Sequence, residues 1–385
     1  MRPTSILLLS TVLLTASATA PPPPHPSPPC RRPGETALDT TSPAPAAPGA
    51  SDDTTSPAPA VPGTFDATTS PTLVASGALD DALSPAAAPD AFAGKALPTI
   101  AAALVNKTST AAAAADAWSG FGLSAGGSDR VGAAMVAAGE PYSSWVRAGR
   151  RFLAFDGGGT GRAVEVVGDL EDAERIAVLV PGVSTRLADF DRGLGGVAGR
   201  APAVQARAVL AATHRADPRA RVAVVAWLGY DPPAGLDLEA ARDLRARAGA
   251  DALSDFVRSL PRGAAVTMIG HSYGALVAGL AACRLARVHD IVALGAPGMG
   301  VRRATELGGV RVWSALAADD WIRRIPQLRL GHLGHGRRPS APAFGAVPLP
   351  TTGVRGHDGY LAPGSPTLAA VADIVVGRVP APAAS

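Results

Sequence analysis

One run in this 385-residue chain has the residue types and spacing of a reacting group rather than of packing: Gly270-His271-Ser272-Tyr273-Gly274. A serine with glycine two positions to either side is the pattern of a hydroxyl held on a tight turn, where larger side chains at the glycine positions would collide. Once a neighbouring base takes its proton, such a hydroxyl attacks an acyl carbonyl. With 43 glycines in the chain the five-residue match alone is weak. Its flanks give it weight. Val266-Thr267-Met268-Ile269 reads as a buried strand and Ala275-Leu276-Val277-Ala278-Gly279 as the start of a helix, and strand, turn and helix together expose the hydroxyl. The helix also aims its positive end at the oxyanion that forms during attack.

A serine nucleophile needs a base, and the base an orienting acid, here expected in the chain order serine, acid, histidine. The histidines beyond Ser272 are His289, His332, His335 and His357. His289 precedes a strand, at the wrong end of a sheet. His332 and His335 share a glycine-rich loop that could line a cleft. His357, in Gly356-His357-Asp358-Gly359-Tyr360 just ahead of the last helix, is the favoured base, with His335 as the alternative. The acid is expected at Asp320 or Asp319, after the strand Val310 to Leu316, with Asp320 preferred; the other aspartate would cap a helix or stay solvated. His271 is expected to point away from the serine and pack.

An oxyanion hole takes two backbone N–H groups. Tyr273 is expected to supply one and Val183 the other, with Ser184 as the alternative in Pro181-Gly182-Val183-Ser184-Thr185. No metal or organic cofactor is required. Asp156-Gly157-Gly158-Gly159-Thr160 resembles the phosphate-binding turn of sugar and acetate kinases, but the further phosphate and adenosine motifs of such a kinase are missing, so it reads as the turn of a hairpin.

The elements that must hold these groups follow from periodicity. Strand-like runs at 151–155 and 162–167 form the hairpin, and further runs at 175–180, 222–227, 265–269, 291–294 and 310–316 alternate with helical regions at 204–214, 236–260 and 367–376. Short apolar β-branched runs alternating with longer helices predict parallel strands with helical crossovers. The fold class is therefore α/β: a three-layer sandwich with a mostly parallel sheet and an N-terminal antiparallel hairpin.

Residues 1–20 have the layout of a signal peptide: Arg2, an apolar run from Ile6 to Leu14, then Ala16-Ser17-Ala18, with cleavage expected after Ala18. Of 36 prolines, 19 fall in the first 100 residues, and Thr-Thr-Ser-Pro recurs from Thr40, Thr54 and Thr68. Residues 21–95 thus read as a disordered linker, and 96–150 as a helical extension ahead of a catalytic domain over 151–380. The expectation is a secreted or cell-envelope-associated monomer. Cys283 reads as a small buried hydrophobe rather than as a partner for Cys30. The net charge of +3 is scattered rather than striped, which speaks against nucleic-acid binding.

The runs Ala177 to Val183, Gly270 to Gly274, Asp319-Asp320-Trp321-Ile322, Phe344-Gly345-Ala346 and Gly356-His357-Asp358-Gly359-Tyr360-Leu361 resemble a family of bacterial α/β-hydrolases known as the domain of unknown function 1023. The resemblance covers about Arg151 to Gly377. That family carries Asp-Pro-Ile where this chain has Asp320-Trp321-Ile322, which implies Asp320 as the acid; Trp321 in place of proline is a departure. What it implies is a serine hydrolase acting on a small-molecule or lipid ester through Ser272, Asp320 and His357. An acyltransferase or amidase would use the same groups, and a non-catalytic envelope protein on the same scaffold is the competing class.

Overall fold

The computed structural model describes residues 127–380; the signal-peptide segment, the proline-rich linker and the part of the expected helical extension before residue 127 lie outside the described residues. Eight strands form one sheet in the order β1-β2-β4-β3-β5-β6-β7-β8. The hairpin β1 (Arg151–Asp156) and β2 (Arg162–Val167) is antiparallel, and β2 pairs antiparallel with β4 (Val222–Leu228). From β4 onward every pairing is parallel, through β3 (Arg175–Val180), β5 (Ala265–His271), β6 (Val288–Leu294), β7 (Arg311–Ala315) and the two-residue β8 (Val347–Pro348).

Strand side chains alternate between faces, and β3 shows where they go. Ile176, Val178 and Val180 join one core cluster while Ala177 and Leu179 join the other. Both faces are covered, which is why β3 and β4 are apolar runs rather than alternating ones. The helices, in chain order, are α1 (Gly127–Ala137), α2 (Tyr142–Arg147), α3 (Pro202–Ala216), α4 (Leu238–Ala241), α5 (Leu244–Ser259), α6 (Tyr273–Ala282) and α7 (Pro366–Val375). Residues of α5 and α6 build the first cluster; those of α1, α2, α3 and α7 build the second.

Two local findings differ from expectation. The helical region over 236–260 is two helices, because Arg242 turns extended and pairs with Leu333 while Asp243 is buried against that later loop. Helices α1 and α2 belong to the same core as the sheet: Met135 is fully buried and the Trp145 ring stacks on Phe152 at 5.7 Å. Arg150, just after α2, makes two 2.8 Å hydrogen bonds to Glu165 on β2, a carboxylate only 2 % exposed that Arg207 of α3 also contacts. Cys283 is buried at 7 % exposed; Cys30 lies outside the described residues. The glycine turn before β2 is a hairpin turn, with the Gly158 N–H donating to Asp156 Oδ1 at 2.9 Å.

Candidate active site

Ser272 links the end of β5 to the start of α6 at φ 55°, ψ −123°. A left-handed φ at a serine costs on the order of 1–3 kcal/mol and persists only where the surroundings enforce it. They do so by close approach. A Cβ on Gly270 would lie 2.5 Å from Ala275 Cα, and one on Gly274 would lie 2.2 Å from the Val180 carbonyl oxygen. The turn is tied to β6 by the Ser272 N–H on the Leu294 carbonyl at 2.8 Å. Only glycine fits at the two flanking positions, so the pattern read from sequence is a steric requirement here.

His357 and Asp320 are brought together. Nδ1 of His357 lies 2.9 Å from each carboxylate oxygen of Asp320, while its Nε2 is buried without a hydrogen-bond partner among the described residues. Asp320 is only 2 % exposed. The Ile322 N–H donates to Oδ1 at 2.8 Å and the Tyr360 hydroxyl donates to Oδ2. Burial works against the carboxylate charge, but the His357, Tyr360 and Ile322 donors outweigh it and hold Asp320 below its ordinary range. Asp319 faces elsewhere: it accepts the Gly356 N–H at 2.9 Å, steadying the loop that carries the histidine. One neighbour thus bonds the imidazole and the other the backbone of the residue before it.

The alternative histidines have other tasks. His335 is buried, with Nε2 on the Ala240 carbonyl at 2.8 Å and its ring edge-on to Tyr273; burial lowers its pKa to about 4. His332 reaches Asp243 at 2.8 Å, and His289 is exposed on β6. His271 does more than pack. Its Nε2 bonds the His357 backbone carbonyl at 2.8 Å and its ring lies 4.7 Å from the His357 ring, so it helps hold the histidine loop.

On the other side of Ser272, a Cβ on Gly182 would sit 2.8 Å from the serine Cβ, which puts the Pro181-Gly182-Val183 loop against the nucleophile. The Tyr230 hydroxyl fixes that loop by donating to the Pro181 carbonyl at 2.7 Å. The Ser184 N–H is engaged by the Pro233 carbonyl at 2.8 Å, which leaves Val183 as the candidate donor beside Tyr273 at the first position of α6. Sequence reasoning missed three contributors. Tyr360 accepts the Ala317 N–H at 3.1 Å as it donates to Asp320. Gly295, at φ 53°, leaves room for Asp320 and His357, each within 3.0 Å of where a Cβ would stand. Trp321 lays its ring 4.7 Å from the His357 ring. Among the described residues no group of three or more His, Cys, Asp or Glu side chains is placed to hold a metal ion, and no helix is long and apolar enough to cross a membrane.

Comparison with known proteins gives relatives with no recorded activity. The uncharacterized protein Rv2079 of Mycobacterium tuberculosis is 32% identical over 260 residues, covering 57% of this chain and 38% of that protein. The uncharacterized protein Rv0963c of the same species is 36% identical over 148 residues, covering 37% of this chain and 54% of that protein. The chain thus spans about four-tenths to half of the length of these curated relatives. Similar solved structures include XC6422 from Xanthomonas campestris, described as an a/b serine hydrolase without lid, at 16% identity and TM-score 0.36, covering 60% of this chain and 96% of that one. Another is a dienelactone hydrolase from Anabaena variabilis, at 18% identity and TM-score 0.35, covering 59% and 94%. Residues 156–330 match the family model described as Alpha/beta hydrolase, and with the eight-stranded sheet and its N-terminal hairpin the chain has the α/β-hydrolase fold.

Proposed function

We propose that the protein is a serine hydrolase, acting on a carboxylic ester through Ser272, His357 and Asp320, and that it is secreted or associated with the cell envelope. The observation that carries this reading is the polarity of His357: one ring nitrogen is anchored to both oxygens of a buried aspartate, and the other is buried and unpaired. An unpaired buried nitrogen costs stability, and a base awaiting a serine or substrate proton accounts for that cost.

In the mechanism, His357 Nε2 takes the hydroxyl proton as Ser272 Oγ bonds to the ester carbonyl carbon. The carbonyl oxygen becomes an oxyanion facing the N–H groups of Tyr273 and Val183. Collapse breaks the bond to the alkoxy group, which leaves as alcohol with the proton from His357. Water then attacks the acyl-serine by the same route, returning its proton to Ser272 and releasing the acid. Asp320 stays ionised and holds the imidazole with Nδ1 protonated. No step calls on a cofactor.

A fluorophosphonate probe tests this. Wild-type protein should be labelled at Ser272 and Ser272→Ala should not; absence of wild-type labelling, or equal labelling of the two, would overturn the assignment.

A further inference from the structure

Between Asp320 and β8 the chain makes a long excursion whose composition the proposed chemistry does not use. Residues 321–340 contain five arginines (Arg323, Arg324, Arg329, Arg337, Arg338), two histidines and no aspartate or glutamate. Both ends of this strap are fastened beside the site. Trp321 starts it against the His357 ring, and His335 brings it back edge-on to the Tyr273 ring at 5.6 Å. Its middle is clamped to the α4–α5 junction, where Arg329 and His332 reach the buried Asp243 at 2.9 and 2.8 Å. Its underside is apolar, with Ile322 and Ile325 clustered with Ala241.

The outer surface is left over. Leu328 and Leu330 are 52% and 51% exposed, and Arg323 and Arg324 are exposed without a carboxylate partner among the described residues. The adjoining loop adds exposed Arg302 and Arg303, and the strap is stitched to it by Arg329 on the Gly300 carbonyl. The nearest acid in that loop, Glu306, accepts the Arg302 N–H at 3.3 Å.

We propose that this strap is a docking surface for an anionic lipid layer, which brings ester substrate to the mouth of the Ser272 site. Exposed arginines suit phosphate headgroups, and exposed leucines in the same strap suit the acyl boundary just beneath. A soluble polyanion would leave the leucines without a role, and a neutral apolar partner would leave the arginines without one. The statement that docking delivers substrate rests on the hydrolase reading. The docking itself does not.

The test uses the full-length Ser272→Ala protein, so that binding is read without turnover, sedimented with phosphatidylcholine vesicles prepared with and without phosphatidylglycerol. The expected result is partition to the anionic vesicles alone, reversed by salt. Each arginine near such a surface contributes about fivefold, so Arg323→Gln with Arg324→Gln should cut partition on the order of 25-fold. Leu328→Ser with Leu330→Ser should weaken it as well. All four side chains are exposed, so the variants should keep the wild-type circular dichroism and melting temperature. Equal binding to neutral vesicles, undiminished binding by the arginine variant, or binding that the leucine variant retains in full and that polyglutamate displaces would each overturn the proposal. If fluorophosphonate labelling succeeds and vesicle binding fails, the docking surface alone is wrong; the reverse result sinks the hydrolase reading alone.

Discussion

Asp320 carries its negative charge while only 2 % exposed because protein donors surround it: His357, the Ile322 N–H and the Tyr360 hydroxyl. Replacing Tyr360 with phenylalanine keeps the ring but removes one donor from the carboxylate and the acceptor of the Ala317 N–H. Stability should fall by about 1.5–3 kcal/mol, the scale of a hydrogen bond to a charged group. A variant with an unchanged urea midpoint would remove Tyr360 from this role. Asp320→Asn should cost kcat on the order of 10⁴, by analogy with a triad aspartate replaced by its amide, whereas Asp319→Asn should cost less than about tenfold, since it loosens only one loop N–H. Serine, aspartate and histidine were legible in the sequence because their order and their place after strands are constrained by the fold. Tyr360, Gly295 and His271 were not, because each acts on a neighbour that only the tertiary structure supplies and no spacing rule encodes such a contact.

Among the elements, the buried parallel strands were the most legible, since a strand covered on both faces needs an unbroken apolar run. The break between α4 and α5 was hidden because it is imposed from outside: the 236–260 region has helical composition, and Arg242 leaves the helix to pair with Leu333, far along the chain. Strand β8 has two exposed residues, one of them proline, and so no periodic signal. The β5–α6 turn makes a prediction at this scale. In Gly274→Ala the new methyl meets the Val180 carbonyl oxygen, a backbone atom that cannot swing aside, so the expected loss is about 3 kcal/mol or more. Gly263→Ala, with nothing within 4 Å of its Cβ, should be nearly neutral. Thermal unfolding of both proteins compares them directly; equal melting temperatures would contradict the steric account of the turn.

For the whole molecule, stability should fall in two separate acid windows. His271 and His335 are both held near a pKa of about 4, chiefly by burial, against about 6.5 in the unfolded chain. The unfolded state therefore binds more protons between these values, and stability declines as pH drops from about 6.5 to about 4, by about 3 kcal/mol for each histidine. Asp320 and Asp243 have depressed pKa values, so their contribution persists down to the unfolded carboxylate value near 3.9 and is lost only below it. Urea midpoints across this range should show the histidine decline first, and His335→Gln should remove about half of it; a midpoint that stays flat down to pH 4 would refute the assignment.

The Arg150–Glu165 contact sets where this molecule can be cut. A polypeptide started at Arg151, at the first strand of the sheet, would keep every strand and the whole candidate site, yet lose one of the two guanidiniums on a carboxylate only 2 % exposed inside β2. Arg207 still reaches that carboxylate at 3.2 Å, so the loss is one of two charged donors, about 1.5–3 kcal/mol, and losing the Trp145 stack on Phe152 adds to it. That is a large share of the roughly 5–15 kcal/mol that holds a typical domain together. For anyone trimming the chain for expression or crystallisation, the safe first residue lies ahead of α1.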